Sequence, residues 1–242
     1  MAAAKAAVAL AADLPLPEAI ALYEQVRSVV GVVKVGLSLF VEHGPAAVKA
    51  FTDRGARVFL DLKLHDIPNT VQLAAQAAGA LGASYLTVHA GGGEAMLRAA
   101  VEGAAAGAAS RQTSPPVVLS VTVLTSMDDP TLQSVGVEDP MLLQVERLAA
   151  LSAKAGVGGL VCSAREVGEV RRIVGDGLVL CTPGIRPRGT SSQDQARVET
   201  PASAIAAGAN LLVVGRPITQ AKDPLVAARA IHDEVEAALR PA

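Results

Sequence analysis

Short, almost continuously apolar runs recur along the chain, each followed by a longer Ala- and Leu-rich segment with helical spacing. Segments 7–13 (AVALAAD), 32–37 (VVKVGL), 57–64 (RVFLDLKL), 85–90 (YLTVHA), 117–124 (VVLSVTVL), 159–164 (GLVCSA), 178–183 (LVLCTP) and 210–215 (NLLVVG) read as eight strands. Helices are expected over 17–30, 39–54, 69–82, 93–109, 139–155, 165–174, 200–207 and 223–239. Strands apolar along their whole length suit a parallel sheet covered on both faces. Eight β/α units in 242 residues predict an α/β fold, a (β/α)8 or TIM barrel, as a single domain over 1–242. A doubly wound open sheet is the alternative, but no GxGxxG follows the first strand. Two polar stretches, 125–139 and 184–200, are too long for simple connections and read as functional loops.

Composition narrows the partners. The net charge is −2, charged residues make up 18%, aromatics 2%, and Trp is absent. Neither a basic surface nor a base-stacking platform is available, so no nucleic-acid partner is expected. The N-terminal apolar run is too short to span a membrane and soon meets Asp13 and two prolines, so neither a membrane segment nor a signal peptide is expected. The two cysteines, Cys162 and Cys181, lie in apolar strand runs and read as buried free thiols of a cytoplasmic protein.

The chemistry-bearing residues gather at the C-terminal ends of the strands, where a TIM barrel keeps its active site. Strand 1 ends in Asp13. Strand 2 carries Lys34 and then Gly36. Strand 3 brings Asp61, Lys63 and Asp66; strand 4 brings Thr87 and His89; strand 5 runs into Thr125 and Ser126. Asp61 and Lys63, at i and i+2, share one face of a regular strand, with Lys34 on the neighbouring strand. A purely structural ion-pair network is the alternative, but taking four charges out of water costs several kcal/mol per ion unless geometry is excellent. Strands 7 and 8 lead into PGIRPRG and GRP, which read as a phosphate site. Gly184 and Gly215 would let backbone amides approach an anion, and Arg216 would pair with it, aided by Arg186 and Arg188. Each of these arginines read alone is also an ordinary solvated charge. No HxxxH or Cys/His cluster occurs, so no metal site is expected. Lys63 between Asp61 and Asp66 competes for the carboxylates that a divalent ion would need. His43 and His232 read as surface residues, His65 as structural, and Tyr23 and Tyr85 as packing residues.

FLDLKLHDIPNTV (59–71) resembles the D-x-K-x-x-D-I-x-x-T signature of the orotidine 5′-phosphate decarboxylase family. KVGLSLF, LTVHA, VTVLTS, LVCSA, TPGIRP, DQARVETPASAI and LLVVGRPIT resemble further blocks of that family, in order over nearly the whole chain. The pattern is similar to its shorter bacterial branch, with AAD in place of ALD before Asp13. The resemblance implies a cofactor-free carboxy-lyase that converts orotidine 5′-monophosphate to UMP and CO2 in pyrimidine synthesis. It implies that Asp13 and Lys34 hold the ribose hydroxyls, Asp61 faces the substrate carboxylate and Lys63 donates the proton. Asp66 and Thr70 would reach into a neighbouring subunit's site, which implies a homodimer with shared active sites. Thr125 and Ser126 would contact the pyrimidine, while Arg186, Gln195, Gly215 and Arg216 would serve the phosphate and a closing loop. Two rivals stand beside this reading. Metal-dependent sugar-phosphate decarboxylases and aldolases share D-x-K-x-x-D but carry an acidic ligand where this chain has Lys34. A catalytically silent nucleotide-binding barrel would be expected to lack one of the charged residues.

Overall fold

A computed structural model describes residues 2–187 and 199–240. Eight parallel strands close into a barrel in chain order: β1 (Val8–Ala11), β2 (Val32–Val35), β3 (Arg57–Leu64), β4 (Tyr85–His89), β5 (Val117–Val121), β6 (Gly159–Val161), β7 (Val179–Pro183) and β8 (Leu211–Val214). β8 pairs with β1, so the sheet has no free edge. The expected strands and the barrel are therefore present, each strand within a few residues of its predicted bounds. The open-sheet alternative is excluded by closure.

Helices cover the outside. They are α1 (Ala2–Ala6), α2 (Leu16–Val26), α3 (Leu37–His43), α4 (Pro45–Thr52), α5 (Pro68–Ala80) and α6 (Gly93–Ala109). The second half adds α7 (Asp129–Ser134), α8 (Met141–Ala155), α9 (Val167–Val174), α10 (Pro201–Ala206), α11 (Arg216–Thr219) and α12 (Pro224–Leu239). The single helix expected over 39–54 is two. Gly44 sits at φ 54, a left-handed conformation that glycine adopts without strain, and Pro45 starts α4 at its first turn. The polar stretch 125–139 is not all loop, because Asp128 caps α7 through its carboxylate, which accepts from the Thr131 N–H.

Alternation along the strands separates two cores. Ala9, Ala11, Val32, Phe59, Tyr85, Leu119, Cys181, Leu211 and Val213 fill the barrel interior. The intervening residues, such as Leu10, Val33, Leu60 and Leu86, pack against the helices. Tyr85 is a packing residue as expected, edge-on to Phe59 and bonded through its hydroxyl to Arg57. Tyr23 packs edge-on to Phe51. Both cysteines are buried, and burial pushes both thiols well above their ordinary range. His232 corrects its expectation. It is 5% exposed, on the inner side of α12, with its Nδ1 3.1 Å from the Asp233 carboxylate.

The helices α5 and α6 approach backbone to backbone. A Cβ on Gly103 would run into the Gln72 carbonyl, one on Gly107 into the Gln76 carbonyl, and one on Gly79 into the Ala104 carbonyl. Small residues at i and i+4 along α6 make this approach possible. It fixes α5, whose first turn carries Thr70.

Candidate active site

The interior parity that places Val32, Phe59 and Tyr85 inside the barrel places Lys34, Asp61 and Thr87 one step higher on the same face. Apolar side chains thus form the floor and charged ones the mouth. Asp61 is 8% exposed. Its carboxylate is shared between two ammonium groups. Lys63 Nζ lies 2.8 Å from Oδ1 and 2.9 Å from Oδ2, and Lys34 Nζ lies 3.6 Å from Oδ2. Lys34 also donates to Asp13 Oδ1 at 3.2 Å. The order Asp13, Lys34, Asp61, Lys63 therefore alternates in sign, from exposed Asp13 inward, so Lys34 and buried Asp61 each have opposite neighbours. Gly36 makes room for it: a Cβ there would sit 2.8 Å from Lys34 Nζ and 3.0 Å from Asp13 Oδ1.

Strand period alone does not bring Asp61 and Lys63 together. The pairing of β3 with β4 shifts register between Leu60 and Leu64, and Lys63 has φ 50. A non-glycine residue in that left-handed region costs about 1–2 kcal/mol. The bulge turns the lysine back over the Asp61 carboxylate, and bulges of this kind recur beside active sites.

Beyond Lys63 the chain leaves the mouth. His65 to Thr70 are exposed, and the Asp66 carboxylate accepts from the Ile67 N–H at 2.7 Å. Among the described residues Asp66 has no ion pair, so the structure does not join it to the other charges. Thr70 lies exposed in the first turn of α5. The His65 ring packs on His89, centroids 5.5 Å apart. Burial holds His89 below the usual histidine range, helped by nearby His65 and Lys63. It is therefore neutral near pH 7 and adds no further cation to the mouth.

The remaining expected residues stand on the same end of the barrel. Thr125 and Ser126 are exposed in the turn after β5, closed by Met127 N–H to the Leu124 carbonyl at 2.9 Å. Gly184 has φ 79, so the chain after β7 turns where glycine is required. Arg186 is 7% exposed, and its backbone N–H donates to the Glu199 backbone carbonyl at 3.1 Å beside an Ile185–Glu199 bridge. Gly215 caps α11, and Arg216 follows it, exposed. Arg188 and Gln195 lie outside the described residues.

Residues 7–231 match the Orotidine 5′-phosphate decarboxylase / HUMPS family. The chain belongs to that family. An orotidine 5′-phosphate decarboxylase of Anaeromyxobacter sp. (strain K) is 55% identical over 202 residues, 84% of this chain and 86% of that relative. One of Moorella thermoacetica is 48% identical over 235 residues, 96% of this chain and 93% of its own. The crystal structure of the orotidine 5′-phosphate decarboxylase from Lactobacillus acidophilus matches with a TM-score of 0.82 at 38% identity, covering 94% of this chain and 98% of that one. The decarboxylase family expected from the signature around Lys63 is thus the family that residues 7–231 match.

Two features of this decarboxylase-family site escape sequence reasoning. The left-handed turn at Lys63 leaves no local signal, because the run reads as a regular strand. Thr87 is noted at the end of its strand, but nothing in the sequence shows that its hydroxyl bonds both Asp61 and the Lys63 backbone.

Proposed function

We infer that the protein is an orotidine 5′-phosphate decarboxylase, releasing CO2 from C6 of orotidine 5′-monophosphate to give UMP. The observation that carries this reading, beside family membership, is the Asp61–Lys63 pair raised over the barrel floor with Lys34 behind it. When the C6–carboxyl bond breaks, the electron pair stays on C6 with little resonance help. A preorganised cation is the direct way to stabilise it. Lys63 has three N–H donors, and Asp61 occupies at most two of them. A remaining N–H can face C6, stabilise the developing carbanion and pass its proton to carbon. The amine then regains a proton from solvent. Asp61 pairs with the ammonium and aims it, and Lys34 holds the Asp61 carboxylate from its other side. A divalent cation would have to displace an ammonium from Asp61, which disfavours the metal-dependent rival. Following the pyrimidine absorbance of orotidine 5′-monophosphate with pure protein and EDTA tests this reading; unchanged absorbance, or turnover lost with EDTA, would overturn it.

The substrate's phosphate is assigned to Gly215, Arg216 and Arg186, with Gln195 from the segment between Pro187 and Glu199. Asp13 and Lys34 are assigned to the ribose, and Thr125 and Ser126 to the pyrimidine. Phosphate binding far from C6 is useful if it closes the site and excludes water. Arg216→Ala is therefore expected to lower kcat/KM by about 2–4 kcal/mol, the cost of breaking a charged hydrogen-bonded contact. A substrate lacking the phosphate should be as poor for the wild type as for the variant. A variant indistinguishable from wild type with the full substrate would remove Arg216 from the site.

We also propose a homodimer in which Asp66 and Thr70 complete the neighbour's site. Supporting this, Ile67 (66% exposed) within the exposed 65–70 stretch and Leu73 (59%) on α5 leave apolar side chains in solvent, as do Leu37 (53%) and Val41 (83%) on α3 of the preceding β/α connection. Large apolar side chains left in solvent on consecutive β/α connections suit an association surface. Two inactive variants, Lys63→Ala and Asp66→Ala, should regain activity when mixed, because a hybrid dimer holds one intact site. Failure to regain it after subunit exchange would argue against shared sites. No described helix is long and apolar enough to cross a membrane. With two free buried thiols, this suits an enzyme of the cytoplasm.

A further inference from the structure

Thr87 has no role in the reading above. It lies inside the barrel on β4 and is 1% exposed. Its Oγ1 donates to Asp61 Oδ1 at 2.9 Å and accepts the backbone N–H of Lys63 at 2.9 Å. One hydroxyl therefore touches both members of the pair proposed to carry the reaction. The contacts close a ring: Lys63 N–H to Thr87 Oγ1, Thr87 O–H to Asp61 Oδ1, and Asp61 back to Lys63 Nζ.

The ring has a direction that chemistry dictates. The register shift between Leu60 and Leu64 takes Lys63 out of the regular pairing with β4, and its N–H still needs an acceptor. A hydroxyl accepts best when its own proton is directed elsewhere, and the Asp61 carboxylate can only accept. Each contact thus favours the next. Burial alone does not explain the arrangement. Thr122, equally inside the protein, donates to the Val161 carbonyl, and buried Thr182 has no side-chain partner among the described residues.

We propose that Thr87 is a positioning residue for decarboxylation: its hydroxyl holds Lys63 in the left-handed bulge and fixes the Asp61 carboxylate, so that the ammonium meets C6. This rests on the assignment of Asp61 and Lys63 as the reacting pair. Thr87 reaches the reaction through those two residues and touches neither the phosphate nor the ribose assignment. Its loss should therefore appear in kcat more than in KM.

The test is Thr87→Val, which keeps volume and β-branching but removes the hydroxyl, beside Thr87→Ser, which keeps the hydroxyl. Misplacing a reacting group by an ångström costs roughly 100-fold, so kcat of Thr87→Val should fall by about that factor with KM little changed. Thr87→Ser should recover most of kcat. If Thr87→Val does not fold, Thr87→Cys takes its place, since a thiol is a weak donor and acceptor. Wild-type kcat in Thr87→Val would overturn the proposal. So would equal losses in the valine and serine variants, because the methyl group would then be what matters. Lys63→Ala measured alongside separates the two assignments. Normal turnover by Lys63→Ala removes the reacting pair itself, whereas an inactive Lys63→Ala with a fully active Thr87→Val removes only Thr87.

Discussion

Lys63→Ala should stop turnover while the barrel stays folded. A positioned proton donor contributes about 10²–10⁴-fold and preorganised electrostatic stabilisation about 10²–10³-fold, so roughly 10⁴–10⁷ should be lost together. KM should change little, because the ribose and phosphate assignments do not involve this side chain. Stability should be nearly unaffected for three reasons. The Lys63 side chain is 32% exposed, Asp61 keeps Lys34 and the Thr87 hydroxyl, and alanine meets the same backbone conformation as lysine. Steady-state kinetics with circular dichroism checks both halves. Turnover within tenfold of wild type in a folded variant would end the proposed mechanism.

Gly107→Ala should destabilise the protein, although alanine is the better helix former by about 1 kcal/mol. Position 107 is inside α6, so propensity alone predicts a gain. The obstacle is backbone. A Cβ there meets the Gln76 carbonyl and comes within 3.0 Å of the Ala80 nitrogen, neither of which can rotate aside. Overpacking of this kind costs about 1–3 kcal/mol, which outweighs the propensity term. Gly168→Ala is the matched control. Gly168 is helical in α9 with nothing within 4 Å of its missing Cβ, so the same substitution should be neutral or stabilising. Thermal unfolding of the two variants should move Tm in opposite directions or leave the control unmoved. A Tm for Gly107→Ala at or above wild type would mean that α5 and α6 can part without loss.

The barrel was legible because its strands are apolar on both faces, which periodicity reports directly. The cluster of Asp13, Lys34, Asp61 and Lys63 was legible because, Arg57 at the start of β3 apart, charged residues interrupt or follow those strands toward their C-terminal ends. Other features depend on partners distant in sequence. The glycines of α6 look like indifferent helix composition until α5 lies against them. His232 sits in a polar-looking segment, and only the packing of α12 shows that its ring turns inward. The break between α3 and α4 did leave a signal in Gly44–Pro45, a pair that marks turns. The i, i+2 argument for Asp61 and Lys63 reached the right neighbours through a regular geometry that the strand does not have.

The left-handed backbone at Lys63 carries a consequence for how this chain can change over time. Judged by conformational preference alone, position 63 calls for glycine, which would relieve about 1–2 kcal/mol of strain. Screening variants for thermal robustness would therefore favour Lys63→Gly and discard the ammonium with the strain. The same lysine is at once a weak point of the fold and the proposed source of its chemistry, so heat tolerance and turnover pull against each other at a single residue.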